Sequence, residues 1–431
     1  MGWRDQVRVS PRTGWVLAIA LCWLSAGPLP YREAFHALPM PNDFTPDYVV
    51  AATWLKEGRC GHPWPAVLDR ATANDHARRL GAPRILLLGP YYTHPPPALA
   101  PIVPLAPLGY TGAVAAWLAI SIALLSIVAW LVAPIIAAAG LPIRAGQLLL
   151  LLLVWPPVLS CLEQGQWTIA LATTMALAHA AWERRRQASA GAWMAVAAAL
   201  KLSPIVAIPG MALRSRRAAL WFAAVLVAIV VACLPFGGVS AWIALFREAG
   251  PNSAAWQTYW QNTTSINGLA SRLFSDGMMS SPLVVSPLAA RLVRLLLGAA
   301  LVGVAVWATW RARAQTLDRD REGCVLALWY LLPAMLNPLG WSHYALLLLL
   351  PAALAARAAA GGDDRAAGRL VLAGIALATV PKETLYLLTQ PFPVAAPRCA
   401  VLSMHLYAGL LVFAGTARGA LRRIDKPARL K

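Results

Sequence analysis

The sequence predicts an all-α polytopic membrane protein that crosses a bilayer about ten times, with both ends in the cytoplasm. Three observations predict it. Of 431 residues, 59% are hydrophobic and 13% are charged, where a water-soluble domain carries roughly 25% charge. Apolar runs of about 17 residues or more recur along the whole chain, each long enough to cross a hydrocarbon layer of roughly 30 Å as a helix. The basic residues gather at the connections between those runs.

That last pattern decides what the net charge of +19 means. A cationic chain invites a nucleic-acid reading, but here the Lys and Arg residues mark the loops that resist translocation, as in a membrane protein, and no nucleic-acid partner is expected. Arg4, Arg8 and Arg12 precede the apolar stretch Gly14 to Pro30. The pair has the look of a secretory signal, and the many spans that follow favour an uncleaved first helix. Further spans are expected near 112–134, 146–162, 166–182, 218–236, 287–311, 323–340, 343–358, 368–388 and 400–417. With the N-terminus in the cytoplasm, this order places 23 of the 37 Lys and Arg residues on the cytoplasmic side. The bias supports the assignment.

Residues 189–213 depart from the pattern. Two apolar stretches flank Lys201-Leu202-Ser203-Pro204, and basic clusters stand at both ends, so a single crossing would strand one cluster outside. A helical hairpin that enters from the cytoplasm, turns at Lys201 and returns satisfies both ends. Two long extracytoplasmic loops, 31–111 and 237–286, complete a single integral membrane domain over 1–431, without internal repeats. Loops of that length are usually functional. Of six cysteines, four lie in apolar runs and read as small core residues. Cys60 lies in a polar loop, where an oxidising compartment would offer Cys399 as its nearest partner.

The first loop opens Pro41-Asn42-Asp43-Phe44-Thr45-Pro46-Asp47-Tyr48. Thr45 suits a helix N-cap, Pro46 the first turn, Asp47 the positive helix end and Gly58 the stop. Asp43 is left over, as a solvated carboxylate or as a general base at the membrane mouth. Tyr91-Tyr92-Thr93-His94 leads into a proline-rich stretch, 98–108, too broken to span, where Tyr92 and His94 are candidate substrate contacts or interfacial groups. Glu163-Gln164-Gly165-Gln166 forms an outside turn that presents Gln166 on the same side as Asp43.

A cation inside an apolar segment is expensive unless paired, so Lys201 is a functional-site candidate by position. Ser203 and Pro204 suit the start of a returning half-helix whose unpaired N–H groups would join the ammonium in an anion site. In the second loop Trp256, Gln257, Tyr259, Trp260, Gln261, Asn262, Asn267 and Arg272 combine aromatics with amides, which suits both sugar binding and interfacial anchoring. Asn337-Pro338-Leu339-Gly340-Trp341-Ser342-His343-Tyr344 reads as an outside turn in which Ser342 caps the next helix and a neutral His343 faces out. A transporter or lipid flippase using Lys201 as an intramembrane anion site remains the alternative to an enzyme.

The ordered set of these marks resembles glycosyltransferase family 87. It comprises Asp43-Phe44 with Tyr48, Tyr92 to Pro96, Gly165-Gln166, the segment from Lys201 to Pro204, Asn262 with Gly268 and Arg272, and Asn337-Pro338 with Trp341 and His343. This chain has Leu202 where the family usually places proline, and His94 where it usually places tyrosine. The resemblance implies a GT-C-like bundle of about ten transmembrane helices plus the hairpin, and an inverting transfer of a hexose, mannose favoured, from a polyprenyl-phosphate donor to a lipid or glycan acceptor. It implies Asp43 and His343 as catalytic residues, with Lys201, Arg272, Tyr92, His94, Gln166, Asn262 and Trp341 around the donor phosphate and sugar. No metal or other cofactor is implied. The expected setting is the inner (plasma) membrane, with surrounding lipids as partners and the site on the extracytoplasmic face.

Overall fold

The computed structural model describes residues 43–57, 94–236, 238–251, 254–255, 258, 261, 264–277, 280–313, 315, 317–389 and 395–422. The expected first span at 14–30, Cys60, Tyr92 and Asn262 lie outside them. The described residues are helical throughout, with no strand among them.

In chain order the helices are α1 (Phe44–Glu57), α2 (Gly109–Ala138), α3 (Ala145–Val154), α4 (Pro156–Gln164), α5 (Thr168–Glu183), α6 (Gln187–Leu200) and α7 (Ile208–Arg214). They continue as α8 (Arg216–Ala232), α9 (Gly238–Ala244), α10 (Ile266–Phe274), α11 (Pro287–Ala312), α12 (Arg319–Leu336) and α13 (Leu349–Gly361). The last four are α14 (Arg365–Ala378), α15 (Lys382–Thr389), α16 (Ala395–Leu402) and α17 (Met404–Leu421). Several starts follow from capping chemistry. Ser215, Ser286, Asp318 and Asp364 each accept a backbone N–H from their own first turn, ahead of α8, α11, α12 and α14.

By length and composition, three of the described helical stretches can cross a membrane unaided: Pro96–Ala138, Pro287–Ala312 and Ser342–Gly361. Three bent pairs, α3 with α4, α14 with α15 and α16 with α17, bring the number to at most six when each pair is counted as one span. The 70° bend between α3 and α4 falls at Trp155. Pro156 and Pro157 follow it, and a proline both lacks the N–H a continuing helix needs and drives its predecessor into extended backbone. The remaining helices expected to cross fall short for visible reasons: α5 has 16 residues and α8 has 17, and α12 opens on Arg319, Asp320, Arg321 and Glu322.

The proline-rich stretch ahead of α2 is not separate from the helix. Short 3-10 turns at Pro96–Leu99 and Val103–Leu108 run directly into α2 and make one apolar unit of 43 residues.

α5 and α12 form the centre, buried on nearly every side, with α13 beside them. α8 and α11 lie outside and expose Leu220, Trp221, Val227, Leu288, Leu295, Leu296, Trp307 and Trp310. In a bilayer such residues meet lipid tails, so outward apolar side chains carry no penalty here. Close helix contacts rest on small residues. Gly191 brings α6 onto the backbone of α8 at Ala218, and Gly374 and Gly415 let α14 and α17 interlock, since a Cβ at any of the three would collide with the facing helix.

One end of the bundle is held by carboxylates that collect the basic connections. Glu183 takes Arg319 at 2.6 Å and Arg357 at 3.0 Å. Glu322 accepts from Trp182 Nε1 at 3.0 Å and from Arg185 at 3.1 Å, and lies 3.6 Å from Arg214. Asp320 pairs with Arg357 at 2.6 Å, and Asp364 with Arg418 at 3.2 Å. Arg185 opens the 187–214 segment and Arg214 closes it, so both feet of that segment meet one carboxylate. α5 runs from this end for 16 residues, about 24 Å at 1.5 Å per residue, and at its far end stands Gln166.

Candidate functional site

Helix α1 docks on the start of α2. Phe44 stacks on Trp117 with centroids 5.7 Å apart, Tyr48 meets Tyr110 edge-on at 5.3 Å, and Thr45 Oγ1 shares a hydrogen bond of 2.8 Å with the Tyr110 hydroxyl. This docking starts the helix at Phe44, two residues earlier than a Thr45 cap requires. Thr45 therefore holds a neighbouring helix instead of capping its own. Asp43 takes the position just before the helix, and its N–H donates to the Gln164 carbonyl at 3.2 Å.

The turn after α4 brings the partner of Asp43. Gly165 adopts φ +67°, the left-handed conformation that closes a helix, and the N–H of Gln166 returns to Cys161 O at 2.8 Å. The Gly165 carbonyl is fixed by Trp117 Nε1 at 3.0 Å. So held, Gln166 donates from Nε2 to Asp43 Oδ2, while its own Oε1 is buried without a partner among the described residues.

Lys201 ends α6 in extended backbone and lays its ammonium over the Tyr344 ring, 4.7 Å from the centroid. Its charge also reaches Asp43. The expected returning half-helix takes another form: Ser203–Ala207 is a five-residue 3-10 turn, and Ser203 Oγ caps nothing. A five-residue 3-10 turn offers no α-helical start to aim at the ammonium. The charged partners around Lys201 are side chains.

Burial pushes the Asp43 carboxyl above the ordinary carboxylate range, against the pull of His94, Lys201 and the Gln166 hydrogen bond; the neighbouring Asp47 pushes it the same way as burial. Asp47 itself is 1% exposed and does not serve the helix end as expected. Its Oδ1 meets His94 Nδ1 at 2.9 Å and its Oδ2 accepts from Trp167 Nε1 at 2.8 Å. Asp47 is the buried carboxylate beside the site that sequence reasoning passed over. Its spacing four residues after Asp43, on the same helix face, was the available signal.

His343 is fully buried and does not face out. The turn before it explains why. Leu339 N–H returns to Asn337 Oδ1 at 2.9 Å, Asn337 Nδ2 donates to the Tyr344 hydroxyl at 2.8 Å, and Thr264 N–H clamps the Gly340 carbonyl at 2.7 Å. Residues Ser342–Leu348 then form a 3-10 helix rather than an α-helix capped by Ser342. The His343 ring lies on Tyr344 with centroids 5.2 Å apart, and neither ring nitrogen has a hydrogen-bond partner among the described residues. Trp341 is partly exposed beside it.

Arg272, expected near a phosphate, is committed elsewhere. It donates to Gln261 O at 2.7 Å and to Ser403 Oγ at 2.9 Å, tying α10 to the start of α17. Its burial lowers its affinity for a proton, and its packing explains why: the guanidinium is 1% exposed, at the heart of a helix junction.

Asp43, Gln166, Lys201 and His343, with His94 and Asp47 behind them, thus gather at one end of the bundle. The described residues contain no group of three or more His, Cys, Asp or Glu side chains arranged to hold a metal ion. The arrangement defines a helical membrane protein with a carboxylate steadied by an amide and accompanied by a cation. The chain belongs to glycosyltransferase family 87, whose family model matches residues 92–325, more than half its length. It is a glycosyltransferase with membrane helices. No curated protein and no solved structure matches it. The family match takes in His94, Gln166, Lys201 and Arg272, begins after Asp43 and ends before Trp341 and His343.

Proposed function

We propose that this glycosyltransferase moves a hexose, mannose favoured by the resemblance, from a polyprenyl-phosphate donor to a lipid or glycan acceptor, with inversion at the sugar carbon. The observation that carries the reading is the Asp43 carboxylate held by Gln166 beside the Lys201 ammonium. Asp43 takes the proton of the acceptor hydroxyl as that oxygen forms its bond to C1. The bond from C1 to the phosphate oxygen breaks, and the lipid phosphate leaves with the electron pair.

Each neighbour has a part. Gln166 aims the carboxylate, and Lys201 favours its charged form at working pH. Asp47, locked by His94 and Trp167, keeps α1 seated so that Asp43 stays in place. The site lies at the end of the bundle away from the basic connections, which supports an extracytoplasmic face in the inner membrane. A lipid-borne donor suits a site at that depth.

Transfer from a radiolabelled polyprenyl-phosphate mannose in membranes, comparing wild type with Asp43→Asn, tests the assignment. Removal of a general base is expected to lower the rate about 10²- to 10⁴-fold. Undiminished transfer by the variant would rule Asp43 out as the base.

A further inference from the structure

α8 begins and α11 finishes at the basic end of the bundle. α7 packs against both, and Arg214 at its close donates to the Ala312 carbonyl in the last residue of α11. α8 opens on Arg216 and Arg217, both exposed, and an exposed Trp221 follows. α11 runs out through the exposed Trp307 and Trp310 to Arg311, with Arg313 just past its end. At 1.5 Å per residue each tryptophan lies within about 8 Å of an arginine along its helix. Both helices therefore carry indoles on the apolar side of their cations, which is the order of side chains at a membrane interface.

These four arginines have no acid to face. Arg311 lies over the Trp307 ring, 5.5 Å from its centroid, and Arg313 over the Trp310 ring at 5.6 Å. A guanidinium laid on an indole keeps its N–H edge for a ligand in its own plane. Among the described residues no carboxylate comes within ion-pair distance of Arg216, Arg217, Arg311 or Arg313. α7, α8 and α11 contain no Asp or Glu. The acids nearby are engaged: Glu322 by Arg185 and Arg214, Asp320 by Arg357, and Asp318 by the first turn of α12. Positive charge accumulates behind them, since Arg214 and Arg311 both bear on Arg321.

We propose that this corner binds an anionic phospholipid. Its phosphate oxygens accept from the N–H edges of Arg311 and Arg313 and from Arg216 and Arg217, a match of planar forks to phosphate. Its acyl chains lie on the apolar surfaces that α8 and α11 turn outward, beginning at the tryptophans. The occupant is a lipid because the cations stand at the edge of those apolar surfaces, where a headgroup and its chains arrive together. The site requires only that the chain reside in a bilayer. It lies at the opposite end of the bundle from Asp43 and is independent of the proposed sugar transfer.

Native mass spectrometry of the full-length protein released from detergent micelles, with phosphatidylglycerol or phosphatidylcholine of the same acyl chains added, tests the assignment. Wild type is expected to retain phosphatidylglycerol at least about fivefold more than phosphatidylcholine, roughly what one arginine at the surface contributes towards an anionic lipid. Arg311→Gln with Arg313→Gln, and Arg216→Gln with Arg217→Gln, should each abolish that preference. Arg365→Gln with Arg369→Gln, exposed on α14 at the same end, should keep it, and lipid-free melting temperatures show that all three variants fold. No preference in wild type, a preference that survives in either corner variant, or an equal loss in the α14 variant overturns the assignment. Glycerol phosphate displacing the lipid at equal concentration would make the corner a free-anion site, and a dimer lost in the corner variants would make it a contact between copies; either result also overturns it.

Discussion

Asp47 and His94 face one another at 2.9 Å, one helical turn below Asp43, with Trp167 closing the other side of the carboxylate. The pair joins residues 47 positions apart and fixes α1 against the segment that leads into α2. Two carboxylates, one just before α1 and one inside it, thereby sit in different surroundings, Asp43 with the Gln166 amide as its donor and Asp47 between His94 and Trp167.

Asp47→Asn should therefore act mainly on stability. It weakens hydrogen bonds to a buried charge, each worth about 1.5–3 kcal/mol, so the melting temperature should fall. The loss of kcat should stay smaller than that of Asp43→Asn. An inactive Asp47→Asn that melts like wild type, beside an active Asp43→Asn, would transfer the base role to Asp47.

The pH profile of kcat/KM should carry an acidic limb set by Asp43. Only the carboxylate can accept the acceptor's proton, so activity rises as pH climbs through a pKa that burial has raised. Lys201 opposes that rise. Lys201→Met should move the limb to higher pH, with activity partly recovered in alkaline buffer; an unmoved limb would show that the ammonium does not govern Asp43.

Gln166→Ala removes the donor to Asp43 Oδ2. Loss of a hydrogen bond to a charged group corresponds to roughly tenfold to hundredfold in kcat/KM. Gln166→Glu sets a second negative charge beside Asp43 and should shift the acidic limb upward as Lys201→Met does. Steady-state kinetics across pH compare the two: both variants lose the hydrogen bond that lowers the Asp43 pKa, and Gln166→Glu, which adds a charge as well, should move the limb further than Gln166→Ala.

At the other end of the bundle, Glu322→Ala leaves Arg214, whose side chain is 11% exposed, without its carboxylate. Breaking such a pair costs about 3–5 kcal/mol. Arg185 is 69% exposed and adds little to that figure. A melting temperature equal to wild type in detergent would show that the clamp contributes nothing.

Membrane residence and helical class were legible in the sequence because hydrocarbon admits few structures, and apolar length reports them directly. The span count was less so. α5 and α8 are short, and prolines bend α3 from α4, so length and composition single out only some of the helices. At the site, Gly165-Gln166 and Lys201 could be picked out locally, by a turn residue and by a charge in an apolar segment. Asp47 could not, because its helix-end position explained it adequately until His94 and Trp167 came to it from distant segments. His343 was misread in direction for the same reason: the turn that points it inward depends on Thr264, which lies 79 positions earlier.

The grip of Glu322 on Arg185 and Arg214 has a mechanical consequence. The two strokes of chain between them, out to Lys201 and back, begin and end beside one carboxylate, with Arg214 as the more buried and firmer of the two contacts. The height at which the ammonium stands beside Asp43 is thus set at the opposite end of the bundle, by a residue that never meets substrate. A change there would retune the site as moving a tent peg retunes the ridge.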